Sequence, residues 1–269
     1  VPAKIFIRIF VSMLDIMRSP FYSFLVIFAL LGSVSNLQAQ EMEARSADFW
    51  GVSFAYGIDF SAGDMADRYG QHFHANMAID LFKLKWNGII RLEGALFFGD
   101  NVNEDVLSPY RNETGSILGN DGSYADVFLR QRGTYLGVML NKVLLPLRQN
   151  PHAGLTAGLG FGLYQHNIRF NVDSNNAPQV EGDYGKGYDR NSIGPALKQN
   201  IGFMSIGKNK NVNYEVALSI TEGFTRNNRP VNFDTGTKED DRRLDIVIGL
   251  EFRWIIPLKD KQEPGEIFY

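Results

Sequence analysis

From Leu244 to Ile256 every second residue is large and apolar: Leu244, Ile246, Ile248, Leu250, Phe252, Trp254 and Ile256. Between them stand Asp245, Val247, Gly249, Glu251, Arg253 and Ile255. A strand sends successive side chains to opposite faces, so this segment has one greasy face and one bearing charge and glycine. A soluble sandwich would turn the greasy face inward. A barrel in a membrane turns it to lipid and fills its interior with the polar face.

The pattern recurs upstream. Trp50, Val52, Phe54, Tyr56, Ile58 and Phe60 share one face, and Gly51, Ser53, Ala55, Gly57 and Asp59 the other. Similar alternation marks Ala75–Leu81, Ile90–Phe98, Leu136–Leu140, Leu155–Leu163, Ile193–Phe203 and Val212–Ile220. With the closing strand this makes about eight, an even number, as single-chain bacterial barrels have. Connections alternate in length. Short ones with turn residues fall at 85–88, 147–151 and 207–211, and long polar ones at 61–72, 100–124, 173–190 and 226–241. A membrane barrel carries short turns on its periplasmic rim and long loops outside.

Both fold classes explain any single strand, but aromatic ends favour the membrane. Trp50, Tyr56, Phe60, Trp86, Phe98, Phe161, Phe203, Tyr214, Phe252 and Trp254 lie on the greasy face or at strand ends, as a girdle would. The expected fold is all-β, an eight-stranded antiparallel up-and-down transmembrane β-barrel over residues 48–257. Asp80, Arg91, Glu93, Lys198, Glu215, Asp245, Glu251 and Arg253 then face a lumen only wide enough for side chains, as a network of paired charges.

The N-terminus agrees with export. Arg18, the apolar run Phe21–Leu31 broken only by Ser23, and small residues ending Leu37-Gln38-Ala39 read as a signal peptide over 1–39. An uncleaved anchor is the alternative, and the run is short for a transmembrane helix. Met17 is the expected initiator, with residues before it an upstream extension. Removing 1–39 leaves 24 Lys and Arg against 29 Asp and Glu, net −5, no footprint for nucleic acid. With no cysteine there is no acylation site, disulfide framework or thiolate metal site.

The signal peptide, eight strands and closing strand Leu244–Ile256 resemble small outer-membrane barrels of the OmpA and OmpX type. The signal ending Leu-Gln-Ala-Gln and the loops dense in Asn, Gly and Asp are similar to barrels of Bacteroidota bacteria. That resemblance implies an accessory role in outer-membrane protein assembly or type IX secretion. It implies localisation in the outer membrane, both termini periplasmic and long loops extracellular, among outer-membrane lipid, lipopolysaccharide and protein partners. A free-standing barrel for adhesion or envelope stability is the rival. Residues 258–269 form a periplasmic tail, either frayed or docking a partner through Ile267, Phe268 and Tyr269.

No catalytic constellation, cofactor or metal site is expected. His72 and His74 share a strand face near a rim, but two ligands do not make a zinc site. His166 faces inward, and no Ser and His lie close on one strand, so a lipid-modifying enzyme is a remote alternative. Gly158-Leu159-Gly160-Phe161-Gly162 lacks the following helix of a nucleotide loop; its glycines leave lumen space for bulky neighbours. The acidic stretches 119–126 and 234–241 lack EF-hand spacing and read as solvated loop acids. Tyr184, Tyr188, Arg190, Tyr110 and Arg111 are candidate loop recognition residues, Tyr and Arg being frequent at binding hot spots. The alternative places them among lipopolysaccharide phosphates.

Overall fold

The computed structural model describes residues 48–147, 150–172, 177–206 and 213–258. The expected signal segment and the tail residues Ile267, Phe268 and Tyr269 lie outside the described residues. Eight strands close into one antiparallel barrel: β1 (Phe49–Gly63), β2 (Gln71–Lys83), β3 (Gly88–Gly99), β6 (Val127–Leu147), β7 (Asn150–Val172), β8 (Ser192–Ile206), β9 (Asn213–Asn227) and β10 (Arg242–Pro257). Each pairs with its neighbours in chain order, and β10 returns to β1 from Gly51↔Pro257 to Gly63↔Asp245. Closure removes every free edge from the wall. Two-residue strands β4 (Ile117–Leu118) and β5 (Tyr124–Ala125) make a small hairpin in the second long loop, and one-turn helices α1 (Met65–Arg68) and α2 (Gly182–Gly185) lie in the first and third.

The greasy faces point out. Trp50, Phe54, Leu92, Leu96, Leu136, Leu140, Phe161, Leu163, Leu218, Phe252 and Trp254 are all exposed on the outer wall. Leu155 to Leu163 on β7 covers about 27 Å along the strand, roughly 20 Å along the barrel axis at a tilt of ~40°. An apolar band of this kind is about 25 Å tall in outer-membrane barrels. Tyr56, Phe73 and Phe98 gather at the loop end of the belt, with ring centroids 6.0–6.4 Å apart. Trp50, Trp86 and Trp254 mark the opposite, turn-bearing rim, where β1 starts and β10 ends.

Some boundaries differ from the sequence reading. β1 runs on to Gly63, so the first long connection shrinks to 64–70 and contains α1. β6 begins at Val127 and β7 reaches Val172, well past their apolar cores. The wall pairing of β6 with β3 stops at Gly99↔Gln131 and that of β7 with β8 at Ser192↔His166. Val127–Arg130 and Asn167–Val172 therefore rise above their neighbours as a two-stranded extension. Polar residues interrupt the alternation there, which hid these stretches of strand. At the other rim β6 ends at Leu147 and β7 starts at Asn150, so Pro151 is in a strand. Asn87, at φ 50°, makes the β2–β3 turn in the left-handed conformation that Asn tolerates.

The lumen is filled in three layers. Phe49, Phe82, Ile89, Val143, Met204, Ile206 and Ile255 form an apolar floor near the turn rim. Above lies a layer of buried charge. Higher still Tyr69, Phe97, Tyr135, Tyr164, Ile168 and Val247 join loop residues Val106, Leu107 and Tyr188 in an apolar ceiling. Room for the aromatic rings comes from facing glycines. A Cβ on Gly162 would lie 2.4 Å from the Leu136 carbonyl oxygen and 2.8 Å from Gly137 Cα, and the Tyr135 ring lies across both glycines.

Candidate functional site

Seven of the eight expected lumen charges meet in the middle layer. Arg91, opposite Asp80 across β2 and β3, donates to Asp80 Oδ1 at 2.6 Å and to Glu215 Oε2 at 2.9 Å. Arg253 donates to Glu251 Oε1 at 3.0 Å and Glu93 Oε2 at 3.3 Å, and its Nε lies 3.7 Å from Glu215. Lys198 Nζ donates to Glu93 Oε1 at 2.8 Å and sits 5.6 Å from the centroid of the Tyr135 ring. These side chains are essentially without solvent exposure. Burial of such charges is tolerated only with close partners and additional hydrogen bonds.

The network has members that the sequence reading did not include. His74 Nδ1 is 2.7 Å from Asp59 and its Nε2 is 3.3 Å from Glu251. Carboxylate oxygens only accept, so a ring donating from both nitrogens serves both contacts. Asn76 donates to Glu93 at 3.0 Å, and Arg253 also donates to Ser53 and Asn76, each at 3.2 Å. Inward parity placed Asp59 and His74 on the correct face; only the register across three strands brings them together.

Asp245 belongs to a separate group near the ceiling. It accepts from Thr225 Oγ1 and faces His166 Nε2 at 2.8 Å and Arg243 Nε at 3.4 Å. His166 Nδ1 is 3.4 Å from the Tyr69 hydroxyl, and the two rings meet edge to face at 5.5 Å. His166, the residue considered for lipid chemistry, is fully buried beneath the loops. Among the described residues no cluster of three or more His, Asp or Glu could hold a metal ion.

The four long loops lock together over this ceiling. Arg68 of α1, itself buried, donates to Glu104 at 2.9 Å, Ser192 at 3.0 Å and Glu239 at 2.5 Å. Arg190, with φ 50°, donates to Glu104 at 2.8 Å and grips both oxygens of Asp234 at 2.8 and 2.5 Å. Arg229 holds both oxygens of Asp189 at 2.9 and 2.5 Å. Glu104 thus joins the first, second and third loops, and Arg190 adds the fourth. Tyr188 donates to the Tyr110 hydroxyl at 3.0 Å and packs edge to face on Phe233. Burial and that Tyr110 contact push the Tyr188 hydroxyl up to about 12.

The loop recognition candidates therefore separate. Arg190 and Tyr188 are buried and spend their donors inside the cap. Arg111 braces the second loop through Asp105 at 2.6 Å and the carbonyls of Gly115 and Val127 at 2.7 and 3.0 Å. Tyr110 and Tyr184 are exposed, as are Leu118, Tyr124 and Phe128, which the sequence reading passed over. The acids of 119–126 and 234–241 hold the loops: Asp121 accepts from Ser123 and Asp126 from Ser116, while Asp234 and Glu239 pair with arginines.

Acid should loosen this cap. Burial raises the Asp234 carboxyl, but the Arg190 hydrogen bonds and charge outweigh it and leave it below the ordinary value. Glu239 is likewise raised by burial and brought lower by Arg68, Asn227 and Arg243. A depressed folded value means stability that is present above the unfolded carboxylate range and lost as pH falls through the folded value. The cap should stay closed at neutral pH and loosen below about pH 4. Pepsin cleavage between residues 100 and 126, measured from pH 5 to pH 2, should rise below that point; a flat profile refutes the ion-pair account.

No protein-family model matches the chain, and no curated protein matches it. Among solved structures, Ail, the attachment invasion locus protein of Yersinia pestis, is similar at 9% identity over 78% of this chain and 99% of that one, with a TM-score of 0.40. The N-terminal β-barrel domain of Pseudomonas aeruginosa OprF is similar at 10% identity, over 76% and 98%, with a TM-score of 0.32. The outer membrane protein OprG of the same organism is similar at 11% identity, over 78% and 96%, with a TM-score of 0.33.

Proposed function

We propose that this barrel sits in an outer membrane, conducts no solute, and works by contact through its loop cap as a structural or accessory subunit of an envelope complex. The carrying observation is a lumen filled from floor to ceiling beneath four interlocked loops, with exposed apolar side chains displayed on that rigid support. Tyr110, Leu118, Tyr124, Phe128 and Tyr184 project from it. Large apolar groups held in water on a braced surface favour a protein partner. The outward belt and its aromatic ends support the membrane setting. In that setting the turn rim with the start of β1 and the end of β10 faces the periplasm, and the cap faces outside. Outer-membrane protein assembly and type IX secretion are the two machines that the sequence resemblance suggests.

The test is purification in mild detergent from native membranes, comparing wild type with Tyr124→Ser/Phe128→Ser. A stoichiometric partner retained by wild type and lost from the variant is the expected result. Absence of a partner from wild type would favour the free-standing surface barrel instead. Planar-bilayer recordings should show no channel steps, and regular large steps would overturn the sealed lumen.

A further inference from the structure

We infer that Arg130, Arg132 and Arg169, on the outer wall of β6 and β7, bind a phosphate-bearing lipid headgroup of the surrounding leaflet. This rests on the membrane setting proposed above and names one component of it. Arg130 and Arg132 share strand parity with the exposed Leu136, Val138 and Leu140, and Arg169 shares it with the exposed Phe161 and Leu163. All three guanidinium groups therefore start from the lipid-facing side of the wall.

Register makes the cluster. Arg130 stands directly opposite Arg169 across β6 and β7, and Arg132 stands opposite Asn167 on one side and Phe98 on the other. Like charges facing each other across a ladder destabilise it. Among the described residues the three guanidinium groups share one carboxylate, Asp100, which accepts from Arg130 at 2.7 Å. Arg132 donates to its neighbouring backbone, the Gln131 carbonyl, at 2.6 Å. By contrast the cap arginines Arg68, Arg190 and Arg229 each hold at least one carboxylate. The wall patch is left with surplus positive charge.

Height identifies what neutralises it. Arg132 lies four residues beyond Leu136, about 13 Å along the strand, with only the Thr134↔Gln165 pair between it and the belt pair Leu136↔Leu163 on this face. Phe98, beside Arg132, belongs to the aromatic group with Tyr56 and Phe73 that ends the belt. That is headgroup level. A concave surface there is lined by Phe98, Arg132, Thr134, Gln165, Asn167 and Arg169. Guanidinium forks match phosphate oxygens in pairs, and the neutral side chains can add hydrogen bonds.

The experiment uses the full chain, folded into phosphatidylcholine vesicles containing a few per cent of a glycolipid, phosphorylated in one arm and enzymatically dephosphorylated in the other. Native mass spectrometry counts the glycolipid retained. Wild type should prefer the phosphorylated form, and R132Q/R169Q should lose roughly fivefold per arginine removed. R226Q, at an outer-wall arginine already beside Asp240, should keep the preference. Equal retention of both glycolipids by inserted wild type overturns the proposal and leaves the membrane reading standing. Failure of wild type to insert overturns both. Displacement by millimolar inorganic phosphate as effective as by the lipid would identify a soluble anion as the ligand and overturn the lipid assignment.

Discussion

Arg91→Met should destabilise the folded barrel by about 3–5 kcal/mol, the range for removing one partner from a buried ion pair. The guanidinium is fully buried between Asp80 and Glu215, and a thioether leaves both carboxylates in a closed lumen with a lost partner. Glu215 keeps Arg253 at 3.7 Å and Thr156 at 3.3 Å, whereas among the described residues Asp80 has Arg91 as its one ion-pair partner. Asp80→Asn in the Arg91→Met background should therefore recover much of the loss. Urea titration of the barrel in lipid vesicles measures it, through the midpoint and slope of the single and double variants. A single variant within about 1 kcal/mol of wild type, far below the buried-pair range, would show that water or relaxation supports the carboxylates, and the sealed middle layer would be wrong.

Gly162→Val is expected to destabilise the barrel by a different route. Its Cβ would meet the Leu136 carbonyl and Gly137 Cα, which are backbone and cannot rotate away, as well as the Tyr135 ring. Overpacking commonly costs about 1–3 kcal/mol, and here displacement of Tyr135 also disturbs Lys198, which sits over its face. The variant should fold poorly, seen as loss of the compact, heat-modifiable band on unboiled gels. Leu163→Val, one residue away on the exposed outer wall, should fold normally. Equal behaviour of the two variants would show that the glycine pair is not a packing requirement.

The wall was legible because a strand repeats every two residues. Trp254 and Arg253 need no tertiary information to be assigned to opposite faces. Height within the lumen is another matter: Ile255, Arg253 and Val247 share one face of β10, yet lie in the floor, the ionic layer and the ceiling. Periodicity records face and not depth. The same limit hid Asp59 and His74, whose partnership with Glu251 depends on the register of β1, β2 and β10. In the loops there is no period at all. Arg190 reads as an exposed binding residue until the fold brings Glu104 and Asp234 to it, 86 and 44 residues away in the chain.

The ionic layer also bears on how such a barrel is made. Arg253, near the end of the last strand, bonds to Ser53, Asn76 and Glu93, which lie 200, 177 and 160 residues earlier. A half-wound sheet cannot form these contacts, because the first and last strands have yet to meet. Until then Arg253 lacks these three partners. Contacts of such sequence separation slow folding, since the chain loses the entropy of a long loop before gaining them. They also tie the two ends of the wall together at the moment of joining. The seam between β1 and β10 is therefore bolted from within, and assembly should be close to all-or-none rather than strand by strand.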